Sequence, residues 1–267
     1  MRFGAMNFPI RPVIDEIRSI GALGFDYLEL TLDAPLAHYL VVRREKAAIL
    51  SALADHGLGL VCHLPTFVAT ADLTPSIREA SRDEIRRSLD TAAELGAERV
   101  VAHPPIISGL GMMAKDRVLP LVAEAMDGML DHASGLGLTT CLENMFPRYQ
   151  VCVEPEDFRP IFQSRPELKL TLDTGHAFID SMKGDRLIAF VETWGHRLGH
   201  LHVSDNQGRR DDHLPVGRGK VPFALLAMAL TRFAVTGTVT VEIFTDRRED
   251  LVQSREAFRR CMEGANS

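Results

Sequence analysis

The sequence lacks the features that support redox motifs, zinc ribbons or membrane spans. Its 267 residues include 4 cysteines, and no two of these form a CxxC pair, which argues against a thioredoxin-type or zinc-ribbon motif. Scattered cysteines of this kind are typical of the reducing cytosol. No stretch approaches the roughly 18 apolar residues of a membrane span, and Met1–Asn7 lacks the apolar core of a signal peptide. These absences predict a cytoplasmic protein with no membrane partner.

An excess of basic residues is also missing. Lys and Arg number 30 against 36 Asp and Glu, so the formal net charge is −6. Proteins that bind nucleic acid usually show a basic patch or a basic isoelectric point. The charge balance therefore favours a small-molecule partner, and it leaves nucleic acid to one alternative described below.

What the chain has instead is a regular alternation of short apolar runs with amphipathic helical runs. This alternation favours a parallel sheet, and the length of 267 residues is close to the roughly 250 typical of one TIM barrel. We predict an α/β fold, a single (β/α)8 TIM barrel, with residues 1–267 as one domain. The predicted strands are Arg2–Met6, Tyr27–Leu30, Leu58–His63, Arg99–His103, Leu138–Glu143, Leu168–Asp173, Leu198–His202 and Val239–Glu242.

Helical periodicity predicts one helix after each strand. The helices are expected at Pro12–Ile20, Arg43–His56, Ser76–Leu95, Lys115–Ala133, from about Pro155, and at Asp185–Val191, Val221–Arg232 and Arg248–Cys261. The stretch Val203–Lys220 has neither the periodicity of a helix nor that of a strand, and it is rich in Asp, Arg and Gly. Because a long loop without secondary structure is usually functional in a compact domain, we expect it to lie over the mouth of the barrel.

The third to the eighth predicted strands all end in His, Asp or Glu. Catalytic residues of TIM barrels lie at this end of the strands. Carboxylates and imidazoles that converge there repel and shift one another's pKa values unless a cation lies between them. We therefore predict a divalent metal, namely Mn, Zn, Co or Fe because no thiolate is present, and no nucleotide cofactor. The six residues are His63, His103, Glu143, Asp173, His202 and Glu242.

A structural interpretation competes with this one at each position. A single His at a strand end is more often a hydrogen-bonded barrel residue, so the metal hypothesis depends on the joint pattern over six strands. Asp211 and His213 form either a solvated turn or a further ligand pair over the mouth. We expect His200 to point away from the barrel axis. The remaining histidines are read as surface or core residues: His38, His56, His132 and His196.

Five motifs extend this pattern over nearly the whole chain. They are Cys141–Asn144, Leu172–Phe178, His200–Asn206, Asp211–Gly219 and Val241–Phe244. Together they resemble the xylose isomerase-like TIM-barrel superfamily. That superfamily includes sugar and sugar-phosphate isomerases and epimerases, and it is related to the endonuclease IV family, which is also called AP endonuclease family 2.

The resemblance to the sugar epimerases implies a metal-dependent isomerase or epimerase of carbohydrate metabolism. One divalent metal would be held by Glu143, Asp173, His202 and Glu242, and Glu143 and Glu242 would also be the catalytic groups that move the proton. His176 and Arg218 would bind the substrate, a sugar or sugar phosphate. Exposed helix faces are compatible with a homodimer.

The resemblance to endonuclease IV implies a different activity, the metal-dependent hydrolysis of a phosphodiester in abasic DNA. The loops after the early strands argue against it, because Thr31–His38 has no basic residue and Phe67 is the single candidate wedge after His63. We therefore favour the isomerase or epimerase, with the hydrolase second and a non-catalytic sugar-binding barrel third. In a multinuclear site the further ligands would be His63, His103, His176, Asp211 and His213.

Overall fold

Eight parallel strands form a closed barrel in the order β1 to β8, as seen in a computed structural model that describes residues 1–107 and 109–265. This arrangement confirms the predicted (β/α)8 TIM barrel. Each predicted strand is present, and its ends differ by two residues at most. The strands are β1 Arg2–Met6, β2 Tyr27–Thr31, β3 Gly59–His63, β4 Arg99–Ala102, β5 Thr140–Glu143, β6 Lys169–Asp173, β7 Leu198–Val203 and β8 Thr238–Val241.

The helices follow the strands as expected, with one addition. The five-residue helix α6 was not predicted, because a single turn has too few residues to show a hydrophobic period. Helix α2 begins four residues before its predicted start, where the His38 side chain accepts a hydrogen bond from the backbone of Leu40 at 3.3 Å. The helices are α1 Val13–Ala22, α2 Tyr39–Asp55, α3 Pro75–Glu94, α4 Lys115–Gly135, α5 Phe158–Ser164, α6 Thr174–Phe178, α7 Asp185–Trp194, α8 Phe223–Arg232 and α9 Arg248–Ala265.

The chain divides into two compact units. The first contains Met1–Ala5, Glu143–Arg148 and the chain from Cys152 onward, and the second contains Met6–Leu142 and Tyr149–Val151. That residues 1–267 form one domain stays a prediction. In the part of the chain that the structure describes, no helix has both the length and the apolar character needed to cross a membrane.

The strand register in the first unit places the ends of β6, β7 and β8 at the same height along the barrel axis. Asp173 of β6 pairs with His202 of β7, and His202 pairs in turn with Thr240 of β8. Behind these strands, the first unit buries aromatic side chains, such as Phe158 against Phe190 with ring centroids 5.6 Å apart. A packed layer of helices therefore holds the carboxyl ends of adjacent strands in fixed positions.

The carboxylate of Asp205 organises the long loop after β7. This residue is 1% exposed and accepts four backbone hydrogen bonds. Its Oδ1 accepts from Asn206 and Val221, both at 2.9 Å, and its Oδ2 accepts from Gly217 at 2.9 Å and Gly219 at 2.8 Å. A Cβ at Gly219 would clash with Asp205 Oδ1 and with the Asn206 backbone, which explains the glycine at this position.

We expect Asp205→Asn to lower the free energy of unfolding by about 2–3 kcal/mol, because buried donors left without an acceptor are costly. Each carboxylate oxygen accepts two backbone N–H groups, so either orientation of the amide would turn its NH2 group against two donors. Urea unfolding measures the change. Asp212→Asn, in the same loop but paired with exposed Arg210, is the control; equal losses in the two variants would contradict this role for Asp205.

Candidate active site

Four predicted ligands converge at the carboxyl ends of β5 to β8, and we call them the quartet: Glu143, Asp173, His202 and Glu242. One ligand atom from each lies within 4.8 Å of all the others. His202 Nδ1 lies 3.5 Å from Glu143 Oε1, 3.9 Å from Asp173 Oδ2 and 2.9 Å from Glu242 Oε2. The structure thus brings together the residues that the sequence predicted for a mononuclear metal site.

The four residues converge because each lies at or next to the carboxyl end of its strand. Glu143 and Asp173 are the last residues of β5 and β6, His202 is the next to last of β7, and Glu242 directly follows β8. The side chains of Glu143, Asp173 and His202 are at most 1% exposed, whereas that of Glu242 is 13% exposed. Glu242 is therefore the member of the quartet most accessible to a substrate.

The quartet contains more acidic groups than basic groups, and this excess shifts the pKa values of its carboxyl groups. Burial, reinforced by the charges of Glu242 and Glu143, raises the pKa of Asp173 to about 7, although His176 opposes the shift. Burial also disfavours the charged form of Glu242, yet His202 and His213 outweigh it and lower the pKa of that carboxyl group. Three carboxylates around one imidazole carry more negative charge than the imidazole can neutralise.

The residues present fit a divalent cation. Within residues 1–107 and 109–265, the buried Oδ2 of Asp173 has no hydrogen-bond partner, and neither does the buried Oδ1 of Asp211. Buried carboxylate oxygens without partners are uncommon unless a cation is bound to them. The donors are oxygen and imidazole nitrogen without thiolate, a set that suits zinc, manganese, iron or cobalt.

A second group of side chains adjoins the quartet. Asp211 Oδ2 lies 3.2 Å from His176 Nε2 and 2.8 Å from His213 Nε2, so one carboxylate links two imidazoles. His176 Nδ1 lies 3.3 Å from Glu143 Oε1. The loop therefore folds Asp211 and His213 inward, and they do not form a solvated turn.

Charge is strongly coupled within this second group. Burial by itself lowers the pKa of His213, but Asp211 and Glu242 outweigh it and raise that pKa to about 9. In the same way Asp173, Asp211 and Glu143 raise the pKa of His176 well above its usual value. The pKa of Asp211 is lowered by its hydrogen bonds with both imidazoles, against the effect of burial. All three shifts favour the charged forms of these groups, a carboxylate between two imidazolium ions.

His213 is held in this position by its backbone and by its ring. Its φ is 45°, in the left-handed region that few non-glycine residues adopt. The ring stacks on Phe244 with centroids 4.1 Å apart and 23° between the planes. Its Nδ1 lies 3.1 Å from the backbone oxygen of Glu242. Strained backbone of this kind is concentrated at functional sites.

His63 and His103 lie in the second compact unit. Their ring centroids are 4.8 Å apart and nearly perpendicular. His63 is the last residue of β3, with Nδ1 2.7 Å from the Leu64 backbone oxygen, whereas His103 directly follows β4. Both therefore lie at the strand ends, as predicted from the sequence, and their role as further ligands stays a prediction.

Arg218 makes a different contact from the one the sequence suggested. Its Nη2 donates to Asp250 Oδ1 at 2.9 Å, and Asp250 Oδ2 accepts a hydrogen bond from Thr245 at 2.8 Å. The Arg218 side chain is half exposed. The structure thus places it at a buried aspartate, and substrate binding by Arg218 stays a prediction.

The expectation for His200 was wrong. Its ring lies 5.0 Å from the ring of His202, and its Nδ1 lies 2.6 Å from Thr238 Oγ1. Residues two apart in a strand point to the same face, so His200 shares the face of His202 instead of pointing away. It is 1% exposed and belongs to the layer beneath the quartet.

Asn144 is a site residue that the sequence motif contained but did not explain. Its Oδ1 accepts from the backbone N–H of Asp173 at 2.7 Å, and its Nδ2 donates to the Asp173 backbone oxygen at 3.2 Å. The side chain is fully buried. Asn144 therefore ties the end of β6 to the residue after β5 and positions two members of the quartet.

Carboxylates and imidazoles clustered at the carboxyl ends of the strands are placed where TIM-barrel enzymes have their active sites. Residues 17–261 match the family model of the xylose isomerase-like TIM barrel, and the chain belongs to that family. The match confirms the resemblance inferred from the five sequence motifs.

Several relatives of the chain are named as sugar epimerases. It is 23% identical to the D-psicose 3-epimerase of Agrobacterium fabrum, over 94% of this chain and 86% of that protein. It is 27% identical to the ketose 3-epimerase of Arthrobacter globiformis, over 83% of this chain and 74% of the other. A crystal structure of a D-tagatose 3-epimerase-like protein shares the fold with a TM-score of 0.87. It is 24% identical to this chain, and the match covers 100% of this chain and 98% of that protein. The comparisons give no support to phosphodiester hydrolysis.

Proposed function

We propose that the protein is a divalent-metal-dependent epimerase that inverts the carbon next to the carbonyl of a ketose or ketose phosphate. The observation that carries this proposal is the quartet, in which the ligand atoms of Glu143, Asp173, His202 and Glu242 lie within 4.8 Å of one another. The relatives named as D-psicose and ketose 3-epimerases support the same reaction class.

When bound, a divalent metal (Mn, Zn, Co or Fe) would polarise the carbonyl and adjacent hydroxyl of the sugar and so acidify the neighbouring C–H. One of the two glutamates, Glu143 or Glu242, then removes that proton as a base. The other, in its protonated form, returns a proton to the opposite face of the carbon. One glutamate gains a proton and the other loses one, so the count balances.

The surrounding residues hold these groups in place. Asp173 and His202 complete the ligand set, and Asn144 fixes the backbone of Asp173. Asp173, Asp211 and Glu143 raise the pKa of His176 against the effect of burial, and we propose that its Nε2 donates to a sugar hydroxyl or a developing oxyanion in place of Asp211. Arg218, which is hydrogen-bonded to Asp250, is proposed as a second residue that contacts the substrate.

Incubation with D-psicose and Mn²⁺ in D2O, followed by NMR, tests this function. We expect deuterium at carbon 3 and the appearance of the 3-epimer, because the returned proton comes from a carboxyl group that exchanges with solvent. An isomerase would instead place deuterium on the carbon that the carbonyl leaves, carbon 2 of the aldose product, and would leave carbon 3 unlabelled. Metal-free protein is the control. Cleavage of an abasic DNA duplex without labelling of any ketose in a sugar panel would contradict the proposal and favour the hydrolase.

A further inference from the structure

The second compact unit contains a cavity of about 580 Å³ between α3 and α4. Its walls are mainly apolar, and they include Leu64, Ile85, Leu89, Ala125 and Met129. This volume lies in the range of small-molecule sites, about 300–1,000 Å³. No member of the quartet lines the cavity, although His103, a predicted further ligand, is one of its lining residues. The proton transfer proposed for the quartet gives the other lining residues no role.

A glycine within α4 leaves part of the cavity wall without a side chain. Gly128 lies within α4 and lines the cavity, although glycine inside a helix costs about 1 kcal/mol relative to alanine. A Cβ built at Gly128 would meet no atom within 4 Å, apart from the backbone of its own helix. Close packing therefore does not require glycine here, and the effect of a longer side chain would be to occupy the cavity.

The charged groups at the walls select the kind of ligand. Both guanidinium groups are engaged: Arg82 donates to Glu124 at 2.7 and 3.2 Å, and Arg86 is paired with Asp83. Arg82 also donates to the backbone oxygens of Thr70 and Leu121. An anionic ligand would thus have to displace an existing ion pair.

The remaining charges add to this discrimination. Glu79 also lines the cavity and has no ion pair among the described residues. His132, another lining residue, is paired with Asp90 at 2.7 Å. Among the lining residues that the structure describes, Glu79 is thus the charged group without an ion pair, and its carboxylate disfavours a second negative charge beside it.

We propose that this cavity is a binding site for a small molecule with an apolar body and no negative charge. The apolar body lies against Leu89 and Met129, and the polar end faces the charged rim. Gly128 is the residue that permits binding. The ligand belongs to a different class from a sugar phosphate, and its site adjoins the predicted metal ligands only through His103.

The test uses 2-naphthol as a neutral probe and 2-naphthoate as its anionic counterpart, with binding followed by ligand-observed NMR and fluorescence. We expect 2-naphthol to bind the wild-type protein at least about tenfold more tightly than 2-naphthoate, since the anion brings an unpaired charge to the site. Gly128→Leu should weaken 2-naphthol binding by about tenfold or more, because the leucine side chain occupies the cavity.

Gly135→Leu is the matched control. Gly135 ends the same helix, a Cβ there also meets no atom within 4 Å, and it does not line the cavity. We expect this variant to bind 2-naphthol like the wild type. If Gly128→Leu does not fold, Gly128→Ala adds a single methyl group and should give a smaller loss. Failure of wild type to bind 2-naphthol, equal binding of 2-naphthoate, or unchanged binding by both Gly128 variants would each overturn the proposal.

Discussion

We expect Glu143→Gln to lower the kcat of the proposed epimerisation by about 10³-fold or more, because the variant would lose a proton-transfer group worth about 10²–10⁴-fold together with a proposed metal ligand. Glutamine has nearly the shape of glutamate, and Glu143 lies in a fully buried position with its Oε1 3.5 Å from His202 Nδ1. The loss therefore follows from removing the charge and not from loss of packing. Deuterium incorporation into the ketose in D2O measures it.

Glu192→Gln is the control for this variant. It makes the same chemical change at a glutamate of α7 whose side chain is 55% exposed. We expect its kcat to match the wild-type value, and we expect both variants to unfold at temperatures close to that of the wild type. Wild-type activity in Glu143→Gln would refute the assignment of the quartet as the catalytic centre.

Asp173→Asn has two opposite effects, loss of metal binding and a gain in stability of the metal-free protein. Elemental analysis after dialysis against Mn²⁺ should give about one equivalent per chain for wild type and close to none for the variant. Two or three equivalents in wild type would show that the site holds further metals, with His176, Asp211 and His213 as the adjoining candidates.

The gain in stability follows from the raised pKa of Asp173. Because this pKa is about 7 in the folded protein and 3.8 for a solvent-exposed aspartate, Asp173 binds more protons in the folded state between these values. The contribution of Asp173 to the free energy of unfolding of the metal-free protein therefore falls as pH rises from about 4 to about 7. Asparagine lacks this charge, so the variant should be more stable by about 1–2 kcal/mol at pH 8, and the difference should vanish below about pH 4.

Thermal unfolding with and without Mn²⁺ checks this prediction. The cap of α6 survives the substitution, because asparagine caps helices as well as aspartate and Oδ1 can still accept from the His176 backbone, now at 2.6 Å. Asp185→Asn changes an exposed carboxylate of α7 and should alter neither metal content nor its pH dependence. A metal-free Asp173→Asn protein less stable than wild type at pH 8 would show that the carboxylate is stabilised by protein contacts alone.

Much of the fold is readable in the sequence because each strand of the barrel is a separate apolar run. All eight strands are predicted to within two residues at each end. Their ends supplied six candidate residues, and the resemblance to the sugar epimerases selected the quartet from these six. The errors have local causes. Helix α6 is a single turn without a period, and the expectation for His200 applied the strand alternation to residues that lie two apart and share a face.

The long loop shows where the sequence stops being informative. Its composition predicted an irregular segment, and its place after β7 predicted proximity to the mouth. The hydrogen bonds of Asp205 show no local sequence pattern, because their donors lie up to 16 residues away along the chain. The left-handed backbone of His213 has no sequence signal either. The contact of Arg218 with Asp250 spans 32 residues and was missed for the same reason.

By itself, then, the sequence predicted the (β/α)8 barrel from period and length and six acidic or imidazole residues from the strand ends. The family and the quartet followed from the resemblance of five motifs. Tertiary structure alone decided that Asp211 and His213 turn inward beside His176, that Asn144 is hydrogen-bonded to the backbone of Asp173, and that Gly128 lines a cavity between two helices. These features depend on distances between elements far apart in the chain. Such distances are set by packing and strand register, which no local run of residues encodes.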